Sequence, residues 1–399
     1  QSYTLCIIED PENANLLFLG TDDGLYVSLN AGDSWTKWTN GFPTVPVKDL
    51  VIHPREHDLV IGTFGRAAWV LDNIKPLRAL AGKNIADKKI SLFVPQTAYQ
   101  VATQQPTGSR FGADAMYQGE NRKGGAIISY YINKDDKKTK DSDGKKVKND
   151  SIKLEIFDRN RQIRTLKFKA PKESGVHKTT WYLREKGVDR ASRRIRKSTR
   201  EPGGVTVKPG VYRLRMTYGN ATSEQNITVA FDPRLKMSQE AINQKYNASK
   251  VLESYQDKIA AIVKQLVESK NIAASIKSDL SKEDKEKYKE EIKASKEISK
   301  KVEKLIAIYL GTIDKRQGIT RNPEITVNQR LGQASRYIRS RFGEQTSTET
   351  VLMNQFIEEF KKAVAETNTF FNNDWIAYKK SVENINISPF KDTKIFSAK

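Results

Sequence analysis

Residues 53–57, His53-Pro54-Arg55-Glu56-His57, spell H-x-x-E-H. On a helix this spacing would set two imidazole zinc ligands one turn apart with a glutamate beside them. Pro54 argues against that helix, because it matches Pro11 in a repeat described below and so falls in a turn between strands. The third histidine, His177, reads as a surface residue of a β-rich segment. Cys6, the single cysteine, lies in the apolar run Leu5-Cys6-Ile7-Ile8 and reads as a buried, inert thiol; one cysteine also rules out a disulfide framework. Two opposed carboxylates for glycoside hydrolysis would have to come from Asp22, Asp23, Asp49 and Asp72. Those acids occupy turns or strand ends, where capping is their usual work. Arg66 and Arg78 do not make the arginine cluster that a carboxylate-bearing sugar would need. No catalytic, cofactor-binding or metal-ligating residue is therefore assigned, and no cofactor is expected.

Charge offers a different kind of site. The formal net charge is +21, but the lysine-rich stretch from Met237 to Leu310 holds fifteen lysines against twelve acids and is nearly balanced. Between Lys178 and Arg200, nine basic residues face only Glu185 and Asp189. Arg184, Arg190, Arg193, Arg194, Arg196, Lys197 and Arg200 are the candidate partner-binding residues. The segment lacks the interleaved aromatics that stack on bases, which argues against nucleic acid. It reads either as a solvated loop or as a docking patch for a protein partner, acidic glycans or anionic headgroups. No run approaches the roughly 20 apolar residues of a membrane-spanning helix.

The elements that must position these residues begin with a repeat. Asp10-Pro11-Glu12-Asn13 is followed by Leu16-Leu17-Phe18-Leu19-Gly20-Thr21 and Gly24-Leu25-Tyr26-Val27-Ser28. His53-Pro54-Arg55-Glu56 is followed by Leu59-Val60-Ile61-Gly62-Thr63 and Arg66-Ala67-Ala68-Trp69-Val70-Leu71. The period of roughly 43 residues is that of propeller blades, each reading as turn, apolar strand, Gly-Thr turn and aromatic-bearing strand. The first repeat runs on into Ser28-Leu29-Asn30-Ala31-Gly32-Asp33-Ser34-Trp35. This fits an Asp box, with Ser28, Asn30, Gly32 and Ser34 shaping a tight hairpin turn and Trp35 packing between neighbouring hairpins.

Asp boxes of this kind resemble those of sialidase-like, xyloglucanase-like and sortilin-like propellers. The run Gly62-Thr63-Phe64-Gly65-Arg66-Ala67-Ala68-Trp69-Val70-Leu71-Asp72-Asn73-Ile74-Lys75-Pro76-Leu77-Arg78 resembles the closing blade of the bacterial sortilin-like group, with Phe64 and Ala67 where His and Gly are common. The resemblance implies the last two blades of a propeller over 1–82, followed by a sandwich and a helical segment. It also implies an exported protein of the periplasm or of the outer membrane and cell surface of a Gram-negative bacterium, working among protein partners. Two blades do not close a ring, so the remaining blades are expected upstream of Gln1 or on another polypeptide.

Residues 83–122 read as a linker with one edge strand at Ile90–Val94 and a Gly-, Gln- and Ser-rich stretch from Thr103 to Tyr117. Residues 123–232 alternate in short strands, Ala126–Ile132, Ile152–Asp158, Ile163–Phe168, Lys178–Leu183, Gly210–Tyr218 and Ser223–Phe231. They predict a sandwich of immunoglobulin or fibronectin type III kind, with Lys134–Asn149 as a charged hairpin tip. After Asp232-Pro233 the period becomes helical. Leu252, Tyr255, Ile259, Ile262 and Leu266 make one stripe. A second helix is expected to start at Ser281-Lys282-Glu283-Asp284 and to end at Gly311. A third is expected over Glu324–Phe342. A fourth opens on the capping box Thr346-Ser347-Thr348-Glu349, with Leu352, Phe356, Phe360, Phe371 and Trp375 near one face. The fold class expected is thus multidomain, mainly β and then all-α, with residues 233–399 forming a four-helix bundle. The function expected is a non-enzymatic binding or scaffold protein; the rival is a sialidase- or xyloglucanase-like glycoside hydrolase whose site lies in upstream blades.

Overall fold

Alternating apolar residues in the first 82 positions fold into two small antiparallel sheets. A computed structural model describes residues 2–83, 85, 87–101, 124–134, 151–195, 201–313 and 325–385. The first sheet has the order β1 (Thr4–Glu9), β2 (Leu17–Thr21), β3 (Gly24–Ser28), β4 (Thr36–Lys37), and the second the order β5 (Val47–Ile52), β6 (Leu59–Thr63), β7 (Ala68–Leu71). Their registers repeat down to an irregularity. Thr4 pairs with Thr21 and Cys6 with Gly20 around a bulge; Val47 pairs with Thr63 and Asp49 with Gly62 around its counterpart. The sheets share one apolar core that includes Leu16, Phe18, Leu25, Val27, Val47, Leu50, Leu59 and Ile61. Gly20 is needed at their contact, since a Cβ there would lie 2.6 Å from Val47 Cγ1 and 2.9 Å from Val47 O. Helix α1 (Lys75–Leu80) closes the segment with Pro76 in its first turn, where a missing N–H costs nothing.

The residues read as a linker supply two strands, β8 (Ile90–Leu92) and β9 (Ala98–Gln100). They belong to a pair of sheets built with β10 (Ala126–Ile132), β11 (Ser151–Asp158), β12 (Arg161–Lys169), β13 (Gly175–Trp181), β16 (Gly210–Tyr218) and β17 (Ala221–Phe231), while β14 (Arg184–Lys186) and β15 (Gly203–Thr206) are short. One sheet runs β13-β10-β8; the other runs β12-β11-β16-β17-β9, with β9 parallel to β17. The edge strand expected at Ile90–Val94 is β8, at the edge of its sheet, and β9 adds a second; Ile90, Leu92 and Ala98 are buried in the same core as Ile128, Leu154, Leu214 and Val229. Trp181 is 1% exposed, donates Nε1–H to the Arg184 carbonyl at 3.0 Å and meets the Tyr212 ring edge-on at 5.5 Å. Tyr212 OH in turn donates to the Lys208 carbonyl at 2.6 Å, pinning the start of β16. The stretches Thr103–Tyr117 and most of Lys134–Asn149 lie outside the described residues.

The chain divides into two compact units: Gln1–Lys186 with Thr206–Lys236, and Gly187–Val205 with Met237–Lys399. The segment 123–232 is therefore divided between the units, with residues 187–205 in the one that holds the helices.

In that helical unit α2 (Gln239–Glu283) is 45 residues, about 68 Å at ~1.5 Å per residue. Ser238 Oγ caps it by accepting from Ala241 N at 3.1 Å. Its stripe is longer than the sequence reading allowed. Lys245, Leu252, Ile259, Leu266, Ala273 and Leu280 recur every seven residues, and Ala241, Ala248, Tyr255, Ile262, Ser269 and Ile276 recur between them. Such a heptad keeps one seam against neighbouring helices. Because Leu280 is still buried, the helix does not restart at Ser281. It ends at Asp284, whose Oδ1 accepts from Glu286 N and Lys287 N at 3.1 and 2.9 Å in the turn before α3 (Lys289–Leu310). Gly311, at φ 80, stops α3.

Capping boxes open α4 (Val327–Ser340), from Thr326 and Gln329, and α5 (Ser347–Phe370), from Thr346 and Glu349. The expected start at Glu324 lies outside the described residues, and α4 stops two residues before Phe342. Glu349 is 1% exposed and takes Lys245 Nζ at 2.6 Å on Oε1 while Oε2 accepts from Thr346 N at 3.1 Å. Lys245, the one charged residue of the two series, is thus paired with a capping residue. A π-turn, Phe371–Trp375, joins α5 to α6 (Ile376–Glu383). Phe371 and Trp375 pack half-buried against the same core, and Phe370 beside them is 4% exposed.

Candidate functional site

The residues read as an Asp box form one hydrogen-bonded turn. Ser28 Oγ accepts from Gly32 N at 2.9 Å and donates to Asn30 Oδ1 at 2.9 Å. Asn30 Oδ1 also accepts from Ser34 N at 3.0 Å, and Asn30 Nδ2 donates to Ser34 Oγ at 2.9 Å. Ala31 and Gly32 hold φ 55 and 94, left-handed values that a glycine adopts readily. Trp35 is half-buried, with its ring near the glycine of its own turn. The arrangement is a rigid hairpin device with its polar groups turned on one another.

H-x-x-E-H is a turn and not a helix. His53 Nδ1 accepts from Arg55 N and Glu56 N at 3.3 and 3.1 Å. In the first sheet, Asp10 Oδ1 does the same for Glu12 N and Asn13 N, both at 3.0 Å. The imidazole thus stands in for a turn-capping carboxylate, and its acceptor nitrogen is occupied by backbone. His57 faces the other way: its Nδ1 lies 2.7 Å from Arg78 Nη1 and 3.4 Å from Glu12 Oε1. The two histidines do not converge, and among the described residues no group of three or more His, Cys, Asp or Glu side chains is placed to hold a metal ion.

Arg78 gathers the remaining chemistry of this end. Its side chain is 8% exposed and Asp10's is fully buried, with Nε 2.8 and 2.6 Å from Oδ1 and Oδ2. Nη1 reaches Glu12 Oε1 at 2.8 Å, and Nη2 is a buried donor with no hydrogen-bond partner. Asn13 Nδ2 donates to the Arg78 and Ala81 carbonyls at 2.9 and 3.3 Å. Sequence reasoning missed Asp10 and Glu12, although the match of Asp10 to His53 in the repeat was a signal that both cap turns.

The four acids are not brought together as an opposed pair. Asp23 accepts from Thr21 Oγ1 at 2.7 Å, Lys37 Nζ at 3.0 Å and Tyr26 OH at 3.1 Å, and these bonds, led by that of Thr21, hold its carboxyl well below the usual range. Asp22 accepts from Ser2 Oγ and Tyr3 N at 2.6 and 2.8 Å. Asp49 Oδ1 accepts from Leu50 N at 2.9 Å, and the Asp72 carbonyl accepts from Lys178 Nζ at 3.3 Å. Cys6 is half-buried, its Sγ 3.7 Å from the Val47 carbonyl, and burial pushes the thiol up. Arg66 is exposed, and its carbonyl accepts from Trp69 Nε1 at 3.0 Å. His177 is half-buried on β13, with Nε2 3.0 Å from the Glu173 carbonyl.

The basic segment is partly structural. Arg184 is exposed on β14, and Arg190 and Arg194 are exposed beyond it. Arg193 instead bonds the Glu303 carboxylate and the Gly311 carbonyl at the end of α3. Burial works to raise the Glu303 carboxyl, and Lys270 with Arg193 outweigh it, so the group titrates below its ordinary range. Ala191 packs on the helical core, and the Gln256 side chain reaches the Val188 carbonyl at 3.4 Å. Arg193 is therefore an anchor and not a docking cation. Arg196, Lys197 and Arg200 lie outside the described residues.

No family model and no curated protein matches the chain. Among solved structures it is similar to the extracellular domain of the putative one-component system BT4673 from B. thetaiotaomicron, at 10% identity and a TM-score of 0.14. That similarity covers 57% of this chain and 25% of the other, so this chain spans about a quarter of that structure's length. A likeness so slight assigns neither a fold nor an activity.

What the site residues can do chemically follows from their partners. Asp22, Asp23, Asp49, His53 and His57 are engaged in hydrogen bonds of turns, strand ends and ion pairs, whereas Arg184, Arg190 and Arg194 are exposed to solvent. No helix among the described residues is long and apolar enough to cross a membrane.

Proposed function

We propose that this chain belongs to a non-enzymatic binding or scaffold protein of the bacterial cell envelope. In this reading residues 1–82 are propeller blades that offer a recognition face. An immunoglobulin-like sandwich and a four-helix bundle then dock the protein to its partners. The envelope placement follows from the Asp-box and closing-blade resemblance. The observation that carries the docking role is the anchoring of Arg193 on Glu303 and the Gly311 carbonyl, which fixes the exposed Arg190 and Arg194 beside it as a pre-ordered basic surface. A surface ordered before binding loses less entropy on association, and its charge favours an acidic protein face, glycan or headgroup layer.

The role is tested by exchanging the chromosomal copy for a tagged Arg190→Ser/Arg194→Ser variant, which leaves the Arg193 anchor intact. Partners co-isolated with the wild-type protein near 0.1 M salt are expected to be lost near 1 M, as the screening length falls from about 10 to about 3 Å. The variant is expected to lose them at the lower salt. Retention of the same partners by both proteins at both salts would overturn the docking role.

A further inference from the structure

The three-stranded sheet ends on β8, and the free edge of that strand is closed by side chains. Phe93 N donates to the Ser129 carbonyl of β10 at 3.1 Å, which turns the Leu92 N–H and carbonyl away from β10. Side chains of β17 take both: Leu92 N donates to Ser223 Oγ at 2.8 Å, and Gln225 Nε2 donates to the Leu92 carbonyl at 3.4 Å. Ser223 and Gln225 alternate in phase with Ile227 and Val229, which are each 1% exposed. Two polar residues thus stand in a row of β17 that is otherwise turned to the core.

Beside this edge lies an open cleft of about 550 Å³, a size within the ~300–1,000 Å³ of small-molecule sites. Its apolar lining is Ala79 of α1 with Ile85, Leu92, Phe93 and Val94. Leu92 and Phe93 are each 3% exposed and make a fixed floor, whereas Val94 is 57% exposed at the lip. The charge of the cleft has one sign. Lys83 and Lys88 line it, and no acid among the described residues does. Both lysines are exposed, and neither ammonium has an ion-pair or hydrogen-bond partner among the described residues. Their main chains are held, since Lys83 N donates to the Leu80 carbonyl at 3.1 Å and Lys88 N to the Ile85 carbonyl at 3.0 Å. Gln225, also in the lining, uses one amide N–H on Leu92 and keeps the other for an occupant.

We infer that this cleft binds a small apolar monocarboxylic acid. The apolar body covers Leu92, Phe93 and Val94, which removes their surface from water, and the carboxylate meets Lys83, Lys88 and the remaining N–H of Gln225. A dianionic phosphate fits less well, because among the described residues neither an arginine fork nor a helix N-terminus lines the cleft; α1 contributes Ala79, from its last turn. All of these residues belong to the β-rich unit, and their occupancy does not depend on the docking role of Arg190 and Arg194.

The test is calorimetric titration of the 399-residue chain at about 0.1 M salt with naphthoate, a flat apolar acid, and decanoate, an extended one, each beside its uncharged amide. At least one of the acids should bind with a stoichiometry of one and about ten-fold more tightly than its amide. Lys83→Gln/Lys88→Gln should bring that acid to the affinity of its amide and leave the amide unchanged. Val94→Glu, which sets a carboxylate beside the floor, should weaken the same acid about ten-fold. All three positions are exposed, so the variants are expected to keep the wild-type circular dichroism and thermal midpoint. Failure of both acids to bind stoichiometrically, an acid held no more tightly than its amide, or a lysine variant that binds like the wild type would each overturn the site. Unchanged affinity in the Val94→Glu variant would place the acid elsewhere and overturn it as well.

Discussion

His57 and Arg78 meet with Nδ1 and Nη1 2.7 Å apart. A guanidinium has only donors to offer, so the imidazole must accept through Nδ1 and stay neutral. Its surroundings agree: burial lowers the imidazole pKa, the charges of Lys75 and Arg78 lower it further, and Glu12 and Asp10 oppose without prevailing. Below the ordinary histidine value of about 6.5, the unfolded chain takes up a proton that the folded one refuses. The stability His57 contributes is therefore present above that value and is lost as pH falls through the depressed folded pKa. Its backbone φ is 55, a region that asparagine tolerates better than most residues, and an asparagine oxygen can accept from Arg78. His57→Asn should keep stability at pH 7 within about 0.5 kcal/mol and should lose less than the wild type between pH 7 and 5, measured by urea unfolding. Equal slopes would mean that His57 is not the group that titrates. At this scale the sequence was partly legible: Pro54 was enough to place H-x-x-E-H in a turn. Arg78 was not legible, because its partner Asp10 is 68 residues away and nothing local marks a buried ion pair.

The long α5–α6 rod shows why elements are more readable than their interruptions. Phe356, Phe360, Ala363, Thr367 and Phe370 are buried at spacings of four and three, but the next buried residue is Tyr378, one position later than that series would place it. The π-turn at Phe371–Trp375 absorbs the additional residue, as such turns do within α-helices. This lets Tyr378 OH meet Ser295 Oγ at 2.9 Å; since that hydroxyl donates to the Glu291 carbonyl, the tyrosine is the donor. Deleting Asn373, which is exposed, should therefore give an unbroken α-helix with Phe370 and Tyr378 still on the core side. Helicity by circular dichroism should hold or rise, and the thermal midpoint should fall by no more than a few degrees. Deleting Glu366, on the regular side of the turn, should cost far more by rotating Thr367 off Tyr309, which it meets at 2.9 Å. If the two deletions were equally damaging, the π-turn would be something other than an absorbed residue. The capping box at Thr346 and the stripe from Leu252 could be read in advance because they are local. The run of α2 through Ser281 could not, because a serine followed by acids looks the same at a helix start as on an exposed face.

Across the whole chain the order of β-rich and helical regions was legible from the switch of period near Asp232-Pro233, whereas the division into units was not. Residues 187–205 sit between β14 and β16 in sequence but belong with the helices, because Arg193, 110 residues before Glu303, finds its carboxylate there. Composition reported only excess charge in that segment and gave no sign of which cation was spoken for. The consequence is testable by proteolysis. Cleavage after Arg190, Arg193 or Arg194 requires the segment to leave the helical unit, so its rate reports that local opening. Glu303→Ala removes the carboxylate that holds Arg193 and Lys270, half-exposed contacts worth on the order of 1 kcal/mol, so limited trypsin digestion should cut this segment about five-fold faster. Cleavage after Arg159, in the hairpin between β11 and β12, belongs to the other unit and should keep its wild-type rate. Acceleration at both places would signal general unfolding, and no acceleration at either would show that Ala191 and the Gln256 contact hold the segment without the ion pair. A selective increase would show that one arginine fastens a loop of the β-rich sequence onto the helices, leaving its basic neighbours in a fixed position.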